Sequence, residues 1–345
     1  MALLGLLIRY RQCSVLLLIL LTIQPGFSQT RKGGLTGAAF LKVGVGARAV
    51  GLGSAATALT GDVNQMFWNP AGIALQPGDA LVQATFGYHK WIAGLGHHSA
   101  AVSYNWENVG TFGVGFISFG ISGIPADRDV PVDPALIQFQ VDRNTSATYD
   151  YRDVAFQLSV ARYFTDRLSL GITAKIVSQS IDGLSTGALA FDAGSVYAIG
   201  VLDWKIAARF SNLGSDLKFY DIAYGLPLSF SIGTALSPLK SDEHELMLAL
   251  DAVKPQDGPQ YFFSGVEYTF MNVVSVRGGW KFNYSGTDDG GNSSRSAINS
   301  TIEGLSVGAG VRTTVQGFDI GVDYSFTKME LLSAAHRFSL QLGMK

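Results

Sequence analysis

The chain has 345 residues, with 25 Lys and Arg against 27 Asp and Glu for a net charge of −2, which leaves no basic footprint for nucleic acid. Charged residues are only 15% and mean hydropathy is positive. Yet beyond the N-terminus no run approaches the roughly 18 apolar residues that a spanning helix needs, so a helical membrane protein is excluded. Apolar surface must come in small pieces, and 41 glycines with 11% aromatics suit many strands joined by tight turns.

Residues 1–28 read as a secretory signal peptide. Arg9 and Arg11 form a basic start, Val15 to Ile23 is a short apolar stretch, and Gly26 and Ser28 supply small residues for cleavage after Ser28. The only cysteine, Cys13, would leave with this segment, so the mature chain is expected to have neither disulfide nor thiol chemistry.

Residues 29–79 show no alternation. They are dense in small residues, from Gly37-Ala38-Ala39 through Gly51 and Gly53, and then carry Trp68-Asn69-Pro70-Ala71-Gly72. Such density suits a plug packed closely inside something else. In Asn69-Pro70 the proline fixes the backbone and the Asn side chain can satisfy nearby backbone groups, which predicts a turn that anchors the plug, with gating or ligand contact as the other possibility.

From about residue 80 to 345 apolar residues alternate with small or polar ones, the period of a strand with two different faces. Phe318, Ile320, Val322, Tyr324 and Phe326 share one face, against Asp319, Gly321, Asp323 and Ser325. Leu168, Leu170, Ile172, Ala174 and Ile176 oppose Ser169, Gly171, Thr173 and Lys175; Val274, Val276 and Trp280 oppose Ser275, Arg277 and Lys281. About fourteen such segments begin near residues 80, 97, 111, 153, 167, 188, 201, 226, 244, 260, 272, 304, 316 and 335. Each runs roughly 10 to 13 residues, the length of a tilted membrane strand and longer than strands of soluble sandwiches. The connections agree. Those at Ser122 to Arg152, Asn212 to Leu226 and Asn283 to Gly304 are long and fall on the outward side, whereas Thr165-Asp166-Arg167, Gly200-Val201-Leu202, Met271-Asn272 and Gln316-Gly317 are tight and fall on the periplasmic side. The fold class expected is all-β: a transmembrane antiparallel β-barrel of about 14 strands with an N-terminal plug, in the bacterial outer membrane. Arg at Val322, on the lipid face, should then harm the barrel more than Arg at Asp323, on the lumenal face.

Phe40-Leu41-Lys42-Val43-Gly44-Val45-Gly46-Ala47-Arg48-Ala49 followed by Trp68-Asn69-Pro70-Ala71-Gly72 resembles the opening of the PorV/PorQ family, relatives of the FadL-like outer-membrane barrels. Ser159 to Gly171, Phe210-Ser211-Asn212-Leu213-Gly214 and Gly225-Leu226-Pro227 resemble the same family in order and spacing. The resemblance implies a fourteen-stranded barrel and, for PorV-like members, a role in the type IX secretion system. There the barrel binds secreted cargo proteins and passes them from the translocon to the attachment complex.

Other motifs carry less. Gly44-Val45-Gly46-Ala47-Arg48-Ala49 fits the dinucleotide fingerprint as a string, without the preceding strand, the following helix or the parallel sheet that motif needs. His89, His97 and His98 straddle the first hairpin, but His97 and His98 must face opposite ways and no third metal ligand is spaced to join them. Asp127, Asp129 and Asp133 are read as a solvated loop. With no catalytic motif, cofactor or metal signature, an enzyme is not expected.

Two active roles follow. A PorV-like shuttle would use Leu136, Ile137 and Phe139 of the longest outward loop as an apolar partner-binding patch. A FadL-like channel would hold a hydrophobic ligand in the barrel and release it where glycines interrupt the third strand, at Gly113, Gly115, Gly120 and Gly123-Ile124-Pro125. A passive barrel needs no special residue. The motifs favour the shuttle, and outer-membrane lipid surrounds the protein in every case.

Overall fold

The structure, a computed structural model, describes residues 36–75, 80–126, 148–258, 260–282, 303–329 and 334–344, all within one compact unit. The proposed signal peptide with Cys13 lies outside these residues. Among the described residues no helix is long and apolar enough to cross a membrane.

Fourteen antiparallel strands close into a barrel in which each pairs with its neighbour in sequence and the last pairs with the first. They are β1 (Val82–Lys90), β2 (Gly96–Trp106), β3 (Gly110–Pro125), β4 (Thr148–Tyr163), β5 (Leu168–Ile181), β6 (Leu184–Ala198) and β7 (Lys205–Gly214). The second half comprises β8 (Ser229–Lys240), β9 (His244–Pro255), β10 (Tyr261–Phe270), β11 (Val274–Phe282), β12 (Glu303–Val315), β13 (Phe318–Met329) and β14 (Ala335–Met344). Closure runs from Val82 opposite Met344 to Lys90 opposite His336, so no ladder edge is left for lipid to face.

The two faces follow the alternation of the sequence. Val322 is 52% exposed on the outside while Asp323 is 1% exposed inside, and the same split separates Ile172 from Thr173 and Val276 from Arg277. At one end the connections are brief, at 107–109, 164–167, 199–204, 241–243, 271–273 and 316–317; the segments 126–147 and 283–302 belong to the other end, which faces outward. In the outward connection 215–228 a two-stranded hairpin pairs Leu217–Lys218 with Ala223–Tyr224.

Some boundaries differ from the expected ones. β4 begins at Thr148 rather than 153, and β6 at Leu184 rather than 188, because the β4–β5–β6 ladders continue past the apolar band through Tyr151 opposite Ile181 and Ser180 opposite Ser185. Polar residues there keep strand pairing without alternation. β7 begins at Lys205 rather than 201, since Leu202 and Asp203 take positive φ in the turn.

Residues 36–75 fill the lumen. They form 3-10 turns at Ala39–Lys42, Val63–Phe67 and Pro70–Ile73, and one short helix, α1 (Ala47–Gly51). α1 packs on β11 to β14, Val63–Phe67 on β1 to β3, and Pro70–Ile73 on β4 to β6. Small residues permit this closeness. At Gly53, with φ of 64°, a Cβ would lie 2.6 Å from Trp280 N and 2.7 Å from Ser264 O, and a Cβ on Gly279 would strike the backbone of Leu52 and Gly53.

Candidate functional site

The lumen is organised by charges that the strands aim inward and the plug meets. Arg48 of α1 donates to Glu267 of β10, from Nη2 at 2.7 Å and Nε at 3.1 Å. Arg277 of β11 lies between Glu267 and Asp323 of β13, donating to Asp323 at 2.6 Å. All of these barrel groups are buried, so each charge depends on its partner. Asp323 is thus a working member of a network rather than a spare lumenal position, and the expected ranking of Arg substitutions at Val322 and Asp323 has to be reversed.

Further anchors surround the plug. Asp251 of β9 accepts from the Ala56 and Thr57 amides at 3.0 and 2.9 Å and from the Thr57 hydroxyl at 2.7 Å. Asn69 is fully buried. Its Oδ1 accepts from the Ala71 amide at 3.1 Å, capping the turn that Pro70 opens, and its Nδ2 donates to Thr57 O at 2.7 Å and Ser195 O at 3.2 Å. Gly194 leaves the space that Asn69 occupies, and Gly171 admits Pro70 and Ala71. Gly72 lies against Leu59 O and the Gln65 side chain, where a Cβ would sit 2.6 Å from that carbonyl. Trp68 donates from Nε1 to Val45 O at 2.8 Å, and Arg209 of β7 donates to Trp68 O with its guanidinium 5.5 Å from the indole. At the outward end Lys42 pairs with Asp257 in the β9–β10 connection, where Thr36 also donates at 2.5 Å. Burial pushes the Asp257 carboxyl up, but Lys42 and Thr36 outweigh it and hold the group below its ordinary value.

Between plug and outward opening lies a cavity of about 100 Å3. Val43, Val45, Phe67 and Trp68 of the plug and Ile117, Val253 and Phe263 of the wall give it an apolar surface. Lys175, Arg209 and Lys281 stand at its edge; Lys175 is tied to Asp192 at 2.5 Å and Lys281 to Glu303 at 2.5 Å. A second opening of about 450 Å3 lies at the end with the brief connections, where Asp62, Gln83, Arg312 and Gln341 alternate with apolar residues such as Val63, Val273 and Ile320. The plug separates the two.

The residues singled out from sequence fall as follows. Trp68, Asn69, Pro70, Ala71 and Gly72 all lie inside the barrel, and of these Trp68 lines the cavity. Leu136, Ile137 and Phe139, and Asp127, Asp129 and Asp133, lie outside the described residues. His89 and His97 stack at 4.4 Å in the lumen while His98 faces out beside Tyr88, and among the described residues no cluster of metal-ligating side chains occurs. A short helix does follow Gly46, contrary to expectation, although the chain before it is a 3-10 turn rather than a strand. Gly113 and Gly115 of β3 open no gap. Both face inward and receive Met66 and Phe67, and β3 pairs with β2 from Gly110 to Gly120 and with β4 from Thr111 onward, with a register shift only between Ile121 and Ile124.

No protein-family model matches the chain and no curated protein does. Solved structures match by fold. The Ralstonia pickettii toluene transporter TbuX aligns with a TM-score of 0.55 at 12% identity over 88% of this chain and 99% of that one. The CymD monoaromatic hydrocarbon channel gives 0.53 at 12% identity over 87% and 96%, and the Pseudomonas putida toluene transporter TodX gives 0.51 at 13% identity over 87% and 97%. The likeness is one of fold alone, and it agrees with the closed antiparallel barrel whose apolar residues face outward.

Proposed function

We propose that the protein carries small hydrophobic molecules into or across the outer membrane, with the cavity above Trp68 as their binding site. The observation that supports this most is a plug-floored cavity inside a closed barrel, whose apolar surface of Val43, Val45, Phe67, Trp68, Ile117, Val253 and Phe263 is bordered by Lys175, Arg209 and Lys281. An engineered apolar cavity of about 150 Å3 takes up benzene, so this space is of the order of a single aromatic ring. The fold neighbours named above include transporters of toluene. In proteoliposomes the protein should admit toluene, and Val45→Phe, which narrows the cavity from the plug side, should reduce uptake while the barrel stays folded. Uptake unchanged in that variant would remove the cavity from the route.

A second reading, cargo shuttling of the PorV type, is favoured by one observation besides the motif resemblance. Tyr220 and Ile222, at the tip of the 215–228 hairpin, are 73% and 82% exposed on the outward side, an apolar tip suited to a protein partner. Deleting residues 125–148, the loop carrying Leu136, Ile137 and Phe139, tests this reading. Loss of co-purifying secreted proteins with toluene uptake intact would favour the shuttle; loss of neither would not.

A further inference from the structure

On the lipid-facing side, the seam where the first and last strands meet carries chemistry that the lumen does not use. Near its outward end Lys90 of β1 stands opposite His336 of β14, and Tyr88 stands opposite both His98 of β2 and Phe338. His336 is held by the Tyr324 hydroxyl at 2.8 Å from Nδ1, which leaves Nε2 for another partner. The His98 ring lies 5.1 Å from that of Tyr88. Lys90 is exposed and forms no ion pair with any described residue. β1, β2 and β14 contain no Asp or Glu, and of the two carboxylates in β13, Asp323 faces the lumen and Asp319 lies at the periplasmic end. Among the described residues, the outward end of this seam therefore carries the positive charge of Lys90 and two imidazoles with no carboxylate on the same face.

One step toward the membrane centre, Ala100 of β2 sits opposite Phe86 and Phe116. Its methyl between larger side chains leaves a dent in the wall lined by Phe86, Tyr88, Phe116, Phe338 and Leu340. An ammonium group at the membrane boundary is stabilised by a phosphate, and tyrosines beside it occupy the headgroup level. The dent below is apolar and open to the acyl region.

We propose that this seam binds one phosphorylated glycolipid of the outer leaflet, a molecule of the lipid A class. Lys90, His98 and His336 hold its phosphate, and an acyl chain lies in the dent at Ala100. The outer-leaflet position selects this source over inner-leaflet phospholipid, because Lys90 and the two imidazoles stand at the end of the strands that carries the long connections.

Native mass spectrometry of the detergent-solubilised protein, titrated with diphosphoryl lipid A, phosphatidylglycerol or inorganic phosphate, tests the proposal. Lipid A should be retained on the wild type. Retention should fall by about tenfold or more when the charge-assisted contacts are lost in the Lys90→Glu, His336→Gln double variant, and comparably when Ala100→Trp fills the dent. Lys254→Glu, at the outward end of β9 and bonded to Gly258 O at 3.1 Å, should change nothing. Heat-modifiable migration confirms that each variant is folded. Equal retention by the double variant overturns the proposal, as does phosphatidylglycerol binding as tightly as lipid A, or inorganic phosphate displacing the lipid.

Discussion

Asp323 and Val322 are neighbours with opposite surroundings, and substitutions there separate two kinds of cost. Arg at Val322 meets lipid, where a charge near mid-membrane costs about 2–4 kcal/mol. Arg at Asp323 would press a second guanidinium against Arg277, which Asp323 now accepts from at 2.6 Å, and leave Glu267 as the one carboxylate facing Arg48, Arg277 and the new Arg. Removing one partner of a buried pair alone costs roughly 3–5 kcal/mol, so Asp323→Arg should unfold more readily than Val322→Arg in urea titrations of protein inserted in vesicles. Gly53→Val is expected to be as severe. Its φ of 64° and the nearby Trp280 and Ser264 backbone leave no place for a branched side chain, and failure to reach the fast-migrating folded form on a gel would report it. The inward direction of Arg277, Asp323 and Lys281 was legible in the alternation. Their partners were not: Arg48 meets Glu267 across 219 residues of sequence, a distance no periodicity reveals.

Elements were legible where lipid imposes a period and obscure where it does not. Strands β9 and β14 begin where the pattern predicts, at His244 and Ala335, because their apolar outward residues start within a few positions, at Leu246 and Phe338. β4 and β6 begin early because their outward ends project beyond the apolar band. Turn chemistry fills part of that gap. Gln316 and Gly317 both take positive φ, 51° and 85°, the two-residue hairpin geometry that prefers Asn-Gly. Gln316→Asn should therefore raise stability slightly, whereas Gly317→Val should cost about 1–2 kcal/mol, both read as shifts in the unfolding midpoint. At the other end, the Lys42 contact to Asp257 sets a pH dependence. The carboxyl is held below its ordinary value in the folded protein, so its contribution is present above the unfolded value and is lost as pH falls through the folded one. Protease access near Lys42 should thus increase in acid below about pH 4, and Asp257→Asn should abolish that dependence.

For the whole molecule, strand count and closure both followed from the sequence, since one physical requirement, a fully paired backbone in lipid, fixes them together. Function did not follow in the same way. The cavity is assembled from plug residues 41–68 and wall residues as distant as Lys281, and the loop assigned to the shuttle lies outside the described residues. The enclosed plug also bears on how the protein comes to exist. It touches walls from β1 to β14, while the barrel is completed by pairing residue 82 with residue 344. Closing so long a loop is entropically slow, and it is the step that seals the lumen. A chain begun at residue 80 would then close on Glu267, Arg277, Asp323, Asp251 and Arg209 facing water and one another. Supplying residues 36–75 afterwards as a separate peptide should not restore the native packing, because backbone contacts as tight as Leu52 against Gly279 admit no late entry. The segment that precedes the strands in the chain is the one around which the last strand must shut.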